Sequence, residues 1–275
     1  MKKKVYDCFC FNGEWSILEL RLNTHTPVVD YFVIVESIFT HVGRPKELKF
    51  DISDPRVADF AHKIRYILVT DFPNESVWGN EVFQRDAITR GLWDAEPNSL
   101  ILISDCDEII RPDCIQACLE NQEYKLFGFQ QLSYFTFLNN KNEAGSGPQV
   151  WSVGVYFEEL KNATPTEYRM GIRDGHFSHM WWWHDAGWHL SYMMTKEQII
   201  EKVQNFAHQE FNTPGVLSKI DPIKRARAGE DILGREHCRW QLLPFDSVDL
   251  PAYVRQNPDK YQKYFLEPKH YTMGL

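Results

Sequence analysis

The segment 100–109, LILISDCDEI, constrains the fold of this chain more than any other, because an apolar run stops abruptly in three acids. Four consecutive aliphatic residues after the breaker Pro97-Asn98-Ser99 read as a strand buried on both faces of a parallel sheet. Asp105, Cys106, Asp107 and Glu108 then emerge at its carboxyl end, where open α/β sheets bind ligands. In extended backbone, residues two apart share a side, so Asp105 and Asp107 face one cation while Cys106 turns toward the core. That is the outline of a hard-metal site.

A chain of 275 residues buries roughly three quarters of its unfolded surface, enough for one large domain or a domain with a smaller appendage. The expected division is a domain over 1–218 and a C-terminal extension over 219–275 packed on it. Nine tryptophans within a 14% aromatic share supply planar rings for stacking on sugars or nucleobases. Thirty basic against 38 acidic residues give a net charge of −8, which repels a polyanion and excludes nucleic acid as a partner. The six cysteines form no CxxC pair and sit where Cys acts as a small hydrophobe, so a reducing, cytoplasmic location without structural zinc is expected. Behind Met1-Lys2-Lys3-Lys4 the apolar stretch is short and broken by Asp7, Asn12 and Glu14, unlike a signal peptide. No run approaches a membrane span, so membrane contact is expected to be peripheral at most. In that setting the sequons at Asn74 and Asn162 carry no meaning.

Along the chain, residues 5–11 read as a strand, 14–22 as a helix with Trp15, Leu18 and Leu22 on one face, and 31–35 as a second buried strand ending in Glu36. Asp54-Pro55 supplies a cap and first-turn proline for a helix to about Lys63, and 64–69 makes a third strand. A helix over 80–92, with Phe83, Ala87, Ile88 and Leu92 inward, leads into the acidic strand, and Arg111-Pro112-Asp113 opens the next helix. Four strand–helix alternations in about 120 residues imply a mostly parallel α/β sheet. Beyond Lys125 the texture becomes antiparallel and aromatic, with strands expected in 126–137, 149–157 and 168–180, and 139–147 reads as a lid loop. Thr195 and Gln198 form a capping box for a helix to about His208 with Ile199, Val203 and Phe206 inward; the tail beyond Ile220 gives no clear reading.

Three constellations carry chemistry. Carboxylates with an open shell suit Mg²⁺ or Mn²⁺, held by one or two acids plus substrate phosphates, and such a metal neutralises a phosphate leaving group. The same acids also fit a helix cap beside a dipole, and, with less support because position five is Ile109, a phosphatase-type nucleophile motif. The stretch 179–192, HMWWWHDAGWHLSY, combines three histidines and four tryptophans around the turn Asp185-Ala186-Gly187, fitting either a sugar-stacking pocket or an aromatic core. Lys202, Asn205, His208 and Glu210 leave the apolar stripe of their helix and face solvent or a site wall, and Gln84 and Arg85 are equally open.

In order and spacing, YFVIVES-x-FTHVGRPKELKF at 31–50, E-x-x-QRDAI-x-RGL at 81–92, LILISDCDEI-x-RP at 100–112, AGWHLSYM at 186–193 and IIEKVQNFAHQEFN at 199–212 resemble glycosyltransferase family 17. The resemblance implies a GT-A-like fold, a mostly parallel nucleotide-binding sheet with an antiparallel acceptor-side portion and a helical C-terminal part. It implies an inverting glycosyltransferase with a divalent cation, Mn²⁺ or Mg²⁺, a nucleotide-sugar donor such as UDP-N-acetylglucosamine, and a glycan or glycolipid acceptor. Residue by residue, Asp107 would ligate the metal, Asp105 would lie nearer the ribose or a bound water, and Glu36 and Arg85 would face the nucleotide. His189 or His208 would complete the metal shell, and Trp188 and Lys202 would bind the donor. Asp185 is the expected general base toward the acceptor hydroxyl, with Glu210 in reserve. Glycoprotein-modifying members carry an anchor and stem before this region, whereas here the first strand comes almost at once, which points to a microbial glycan or glycolipid precursor as acceptor. UDP-galactose or UDP-glucose as donor, or a non-catalytic sugar-binding protein on the same fold, are the alternatives.

Overall fold

The computed structural model describes residues 3–73, 76–143 and 150–268. In chain order its elements are β1 (Val5–Cys10), α1 (Trp15–His25), β2 (Tyr31–Ser37), β3 (Ile64–Val69), α2 (Val77–Asp86), β4 (Leu100–Asp105), β5 (Glu108–Ile110), α3 (Pro112–Glu120), β6 (Leu126–Gln130), β7 (Leu132–Phe135), β8 (Asn140–Asn142), β9 (Val150–Tyr156), α4 (Pro165–Arg173), β10 (Trp181–Trp183), β11 (Gly187–Ser191), α5 (Lys196–Asn205), α6 (Pro214–Leu217), α7 (Pro222–Ala228), β12 (Trp240–Leu242), α8 (Ala252–Gln256) and α9 (Pro258–Tyr261). They form two compact units that interleave along the chain: one from Met1–Gln131, Pro148–His189 and Asn205–Ala207, the other from Leu132–Gly147, Leu190–Gln204 and His208–Leu275. This partition differs from the expected cut after residue 218, because strands and helices of the second unit are drawn from three stretches of sequence.

The first unit holds a seven-stranded sheet in the order β10-β6-β9-β4-β1-β2-β3. β4, β1, β2 and β3 are mutually parallel, β9 runs antiparallel between β4 and β6, and β10 is parallel to β6. The mostly parallel α/β architecture with an antiparallel portion is the one expected. Val33, Val35, Ile101, Ile103, Val153 and Val155 are fully buried, each worth about 1.5–3 kcal/mol of burial. Ala87, Ile88 and Leu92 cover them from one side, as their spacing requires.

Two segments depart from expectation. After Asp54-Pro55 no α-helix forms: Asp54 spends its carboxylate on Arg56, and only a 3₁₀ turn follows over Ala58–Lys63, with no buried residue to reward a longer helix. The expected strand over 168–180 is instead α4. Its start is a reciprocal capping box, in which Thr164 accepts from Glu167 N–H and Glu167 accepts from Thr164 N–H, with Pro165 at the first helical position. Tyr168 and Ile172 pack inward at helical spacing. The expected lid is in part β8, while 144–149 lie outside the described residues, as do Asn74 and Glu75 of the first sequon.

Beyond the acidic turn, β5 pairs antiparallel with β11, setting Glu108 opposite His189, Ile109 opposite Trp188 and Ile110 opposite Gly187. Gly187, at φ +149, is obligatory there: a Cβ would stand 2.1 Å from Ile109 O.

In the second unit β8 pairs antiparallel with β7 and β12. Asn139 ties the unit together by donating to Leu243 O and Leu266 O, and Phe135 stacks on Trp240 at 4.6 Å. The capping box of α5 forms as expected between Thr195 and Gln198. Among the described residues no helix is long and apolar enough to cross a membrane.

Candidate functional site

A charged residue in an apolar strand demands a partner, and Asp7 in the middle of β1 has two. Arg21, from α1, donates to Asp7 Oδ2 at 2.8 Å and Oδ1 at 2.5 Å, and His25 Nδ1 lies 2.8 Å from Oδ2. All three are fully buried. Burial alone would raise the Asp7 pKa, but Arg21 and then His25 overcome it and hold the carboxyl well below the usual carboxylate range. The rest of the guanidinium grips the acidic turn from beneath: Arg21 Nη1 donates to the carbonyls of Asp105 (2.7 Å), Cys106 (3.2 Å) and Glu108 (2.9 Å), and Nη2 to Ser104 Oγ (2.5 Å). His25 Nε2 lies 2.7 Å from Ile110 O. The backbone that carries the acids is thus fixed by a buried ion pair.

Above this base, the side chains are held as firmly. Glu108 is buried and takes a bidentate pair from Arg169 of α4, at 2.6 Å to each oxygen, while its Oε2 also accepts Asp105 N–H at 2.8 Å. Burial pushes Glu108 up and Arg169 pulls it back. Asp105 is half exposed; its Oδ2 accepts from Arg169 at 2.9 Å and its Oδ1 from Arg85 at 3.3 Å. Arg169 and then Arg85 outweigh the effect of desolvation and hold Asp105 well below the usual range. Arg85 also pairs with Glu81 at 2.9 Å, and its Nε is buried with no hydrogen-bond partner among the described residues.

Asp107 is placed differently. Its Oδ1 stands 3.7 Å from His189 Nε2, and both side chains are largely shielded. Glu81, Asp105, Asp107 and Glu108 against Arg85 and Arg169 leave two negative charges in excess when His41 and His189 are counted neutral. Burial pushes His41 below its ordinary value, in line with that count. A deficit of two charges beside a carboxylate–imidazole pair fits one divalent cation that takes further oxygens from a substrate. The fuller shell expected from Asp105, Asp107, His189 and His208 is not assembled: among the described residues no group of three His, Cys, Asp or Glu is set to hold a metal. Asp105 has both oxygens on guanidinium groups, and His208 belongs to the second unit, where its Nδ1 lies 2.7 Å from Glu210 Oε1.

Helix α2 is polar where it is buried: Asn80, Gln84 and Arg85 are inside while Trp78 and Val82 are exposed. Gln84 Oε1 lies 3.1 Å from His41 Nε2, and Asn80 donates to His41 O. A helix that hides amides and a guanidinium lines a polar site.

Glu36 does not face this opening. It is fully buried and accepts from Lys46, Tyr66 and the backbone N–H groups of Lys49 and Phe50, which makes it an anchor for the loop after β2. Trp188 is also buried, with the Arg111 guanidinium 4.4 Å from its ring centroid, so it offers no face for stacking a donor. Lys202, in the second unit, lies 5.0 Å over the Tyr192 ring. Asp185 sits at the tip of its turn, well exposed, at φ +53, with its carbonyl accepting from Arg111 Nε at 2.7 Å.

The sequence reading missed Asp7, Arg21, His25 and Arg169. For the first three a signal existed: an acid inside VYDCFC, and Arg21 and His25 four apart on the face of α1 that carries its leucines. Arg169 was hidden by taking an aromatic-rich segment for a strand, although Thr164-Pro165 and Glu167 spell a helix start.

Compared with known proteins, residues 1–271 match the profile of glycosyltransferase family 17. The chain is 25% identical to the β-1,4-mannosyl-glycoprotein 4-β-N-acetylglucosaminyltransferase of Rattus norvegicus, over 96% of this chain and 55% of that protein. It is 26% identical to the Homo sapiens protein of the same name, over 94% and 54% respectively. The chain therefore spans about half the length of the relatives it matches. Among solved structures, glucosyl-3-phosphoglycerate synthase from Mycobacterium tuberculosis, crystallised with Mn²⁺, UDP-glucose and glycerol 3-phosphate, aligns with a TM-score of 0.41 and 12% identity, covering 72% of this chain and 75% of that one.

Proposed function

The chain belongs to glycosyltransferase family 17, and from that premise we propose that it is a metal-dependent, inverting glycosyltransferase moving N-acetylglucosamine from UDP-N-acetylglucosamine to a hydroxyl of a glycan or glycolipid. The observation that carries the reading is the acidic turn itself: Asp107 facing His189 at 3.7 Å, in a cluster where the carboxylates of Glu81, Asp105, Asp107 and Glu108 outnumber the guanidinium groups of Arg85 and Arg169. The relatives' name supports N-acetylglucosamine as the sugar, and UDP-galactose and UDP-glucose are the competing donors.

Asp107 and His189 would hold the ion, with Mn²⁺ or Mg²⁺ suited to the carboxylate and Mn²⁺ better suited to the imidazole. When bound, such an ion supplies charge neutralisation to the diphosphate leaving group. The chain's own groups do the rest. Arg85, whose buried Nε has no hydrogen-bond partner among the described residues, is the cation on the donor side. Asp185 takes the proton of the acceptor hydroxyl as that oxygen attacks the anomeric carbon, since its carboxylate is exposed at a turn whose carbonyl is fixed by Arg111. Glu210 is the reserve base, although its hydrogen bond to His208 already occupies one oxygen. A reducing, cytoplasmic setting agrees with six free thiols.

The test is a thermal-shift and transfer screen of UDP-N-acetylglucosamine, UDP-galactose and UDP-glucose with and without Mn²⁺. Metal-dependent stabilisation by one donor, and its loss with transfer in Asp107→Ala, is the expected result. Full activity of Asp107→Ala with metal present, or sugar binding indifferent to metal and nucleotide, overturns the reading.

A further inference from the structure

Arg169 reaches the acidic turn from α4, about sixty residues further along the chain, and its helix is well anchored: beyond the capping box, Thr166 N–H donates to Asp86 Oδ1 at 2.9 Å. Its guanidinium meets two carboxylates of opposite character. Glu108 is buried and is held by both arms at 2.6 Å, a geometry that fixes the fork. Asp105 is half exposed and accepts from Nη2 at 2.9 Å. A bidentate buried pair is hard to break, whereas the single contact to the partly exposed Asp105 is the one that a competing anion can take over. The Nη2 edge is therefore where a fixed positive charge meets the outside of the site, next to the carboxylate–imidazole pair of Asp107 and His189. A phosphate oxygen presents the same lone pairs as Asp105 Oδ2 and, on a diphosphate, more charge.

We propose that Arg169 is a donor-binding residue, with Glu108 as its anchor, whose Nη2 edge leaves Asp105 for the diphosphate of the nucleotide-sugar. The inference rests on the donor reading above and adds to it the second cation that holds the leaving group. Charge counting gives it a signature. Replacing Arg169 by a neutral residue makes the cluster more negative, so a divalent cation alone binds at least as well as before while a nucleoside diphosphate binds worse. A residue that merely scaffolds the turn would weaken both together.

The experiment measures two dissociation constants for the full chain, for wild type, Arg169→Gln and Arg169→Lys: Mn²⁺ alone by electron paramagnetic resonance, and UDP by calorimetry in saturating Mn²⁺. Expected for Arg169→Gln is a loss of UDP affinity of roughly tenfold or more with Mn²⁺ affinity equal to or tighter than wild type. Arg169→Lys, which keeps a charge on Glu108 but not the fork, falls between the two for UDP, and it carries the test if the glutamine variant does not fold. Unchanged UDP affinity in the folded variants, or parallel loss of UDP and Mn²⁺, overturns the assignment. If wild type binds no UDP in Mn²⁺, the donor reading itself fails and Arg169's assignment falls with it.

Discussion

Arg21→Lys keeps the buried charge under the acidic turn and removes only its shape. The guanidinium donates to Asp7 twice, to Ser104 Oγ and to the carbonyls of Asp105, Cys106 and Glu108, and it lies 4.2 Å from the Phe9 ring centroid. An ammonium has three donors and no fork, so about half of these acceptors lose their partner. A neutral hydrogen bond is worth about 1 kcal/mol and one to a charged group about 1.5–3 kcal/mol, so with about three lost we expect a loss of about 4 kcal/mol. At about 2–4 °C per kcal/mol for a chain of this size, Tm falls by roughly 8–16 °C. The freed carbonyls also let the turn move, and outer-shell changes at metal sites cost about 10–100-fold in metal affinity. Thermal melts followed by circular dichroism and a Mn²⁺ titration read the two effects. A variant that melts within a degree or two of wild type, or one that is destabilised yet binds Mn²⁺ as before, refutes the claim that Arg21 shapes the turn.

The Asp7 carboxyl titrates lower in the folded chain than in the unfolded one, so its stabilisation is fully present above the unfolded value of about 3.9 and fades as pH falls through the folded value. Wild type should lose stability steeply below about pH 4, and Asp7→Asn, already less stable at pH 7, should show a flatter slope in acid denaturation. Asp185→Asn should lower kcat by about 10²–10⁴ with the donor KM unchanged, and a wild-type kcat would remove Asp185 as base. Gly187→Ala places a Cβ 2.1 Å from Ile109 O at φ +149, so it should destabilise by at least about 3 kcal/mol in thermal melts; a neutral result would mean that β5 and β11 do not pair in this register.

Part of the candidate site was legible because strand ends announce themselves. LILISD followed by CDE could only be a buried strand running out into acids, and β4 ends at Asp105 as expected. What one segment does not reveal is who holds those acids. Arg21 and Arg169 are distant in sequence, and each presents an ordinary helical arginine until topology brings α1 beneath the turn and α4 beside it. Glu36 illustrates the opposite error. An acid at a strand's carboxyl end reads as facing the nucleotide, but the loop 46–50 folds back to give Glu36 three donors and Tyr66 of β3 gives a fourth. Trp188 failed as a stacking residue for a related reason: composition counts rings, whereas burial between β11's neighbours and Arg111 decides which faces stay open.

The distribution of charge around the turn also explains why two aspartates so close in sequence have different tasks. Asp105 is neutralised by two guanidinium groups and offers no free oxygen to a metal without displacing one of them. Among the described residues Asp107 meets only an imidazole, at a distance too long for a hydrogen bond, so its carboxylate has gained little from them in exchange for being shielded from water. A shielded acid so poorly compensated is a strong attractor for a cation, and the backbone beneath it is already fixed by Arg21. The turn need not be ordered when the ion arrives, so binding there loses little to conformational entropy and its electrostatic gain is available to the reaction.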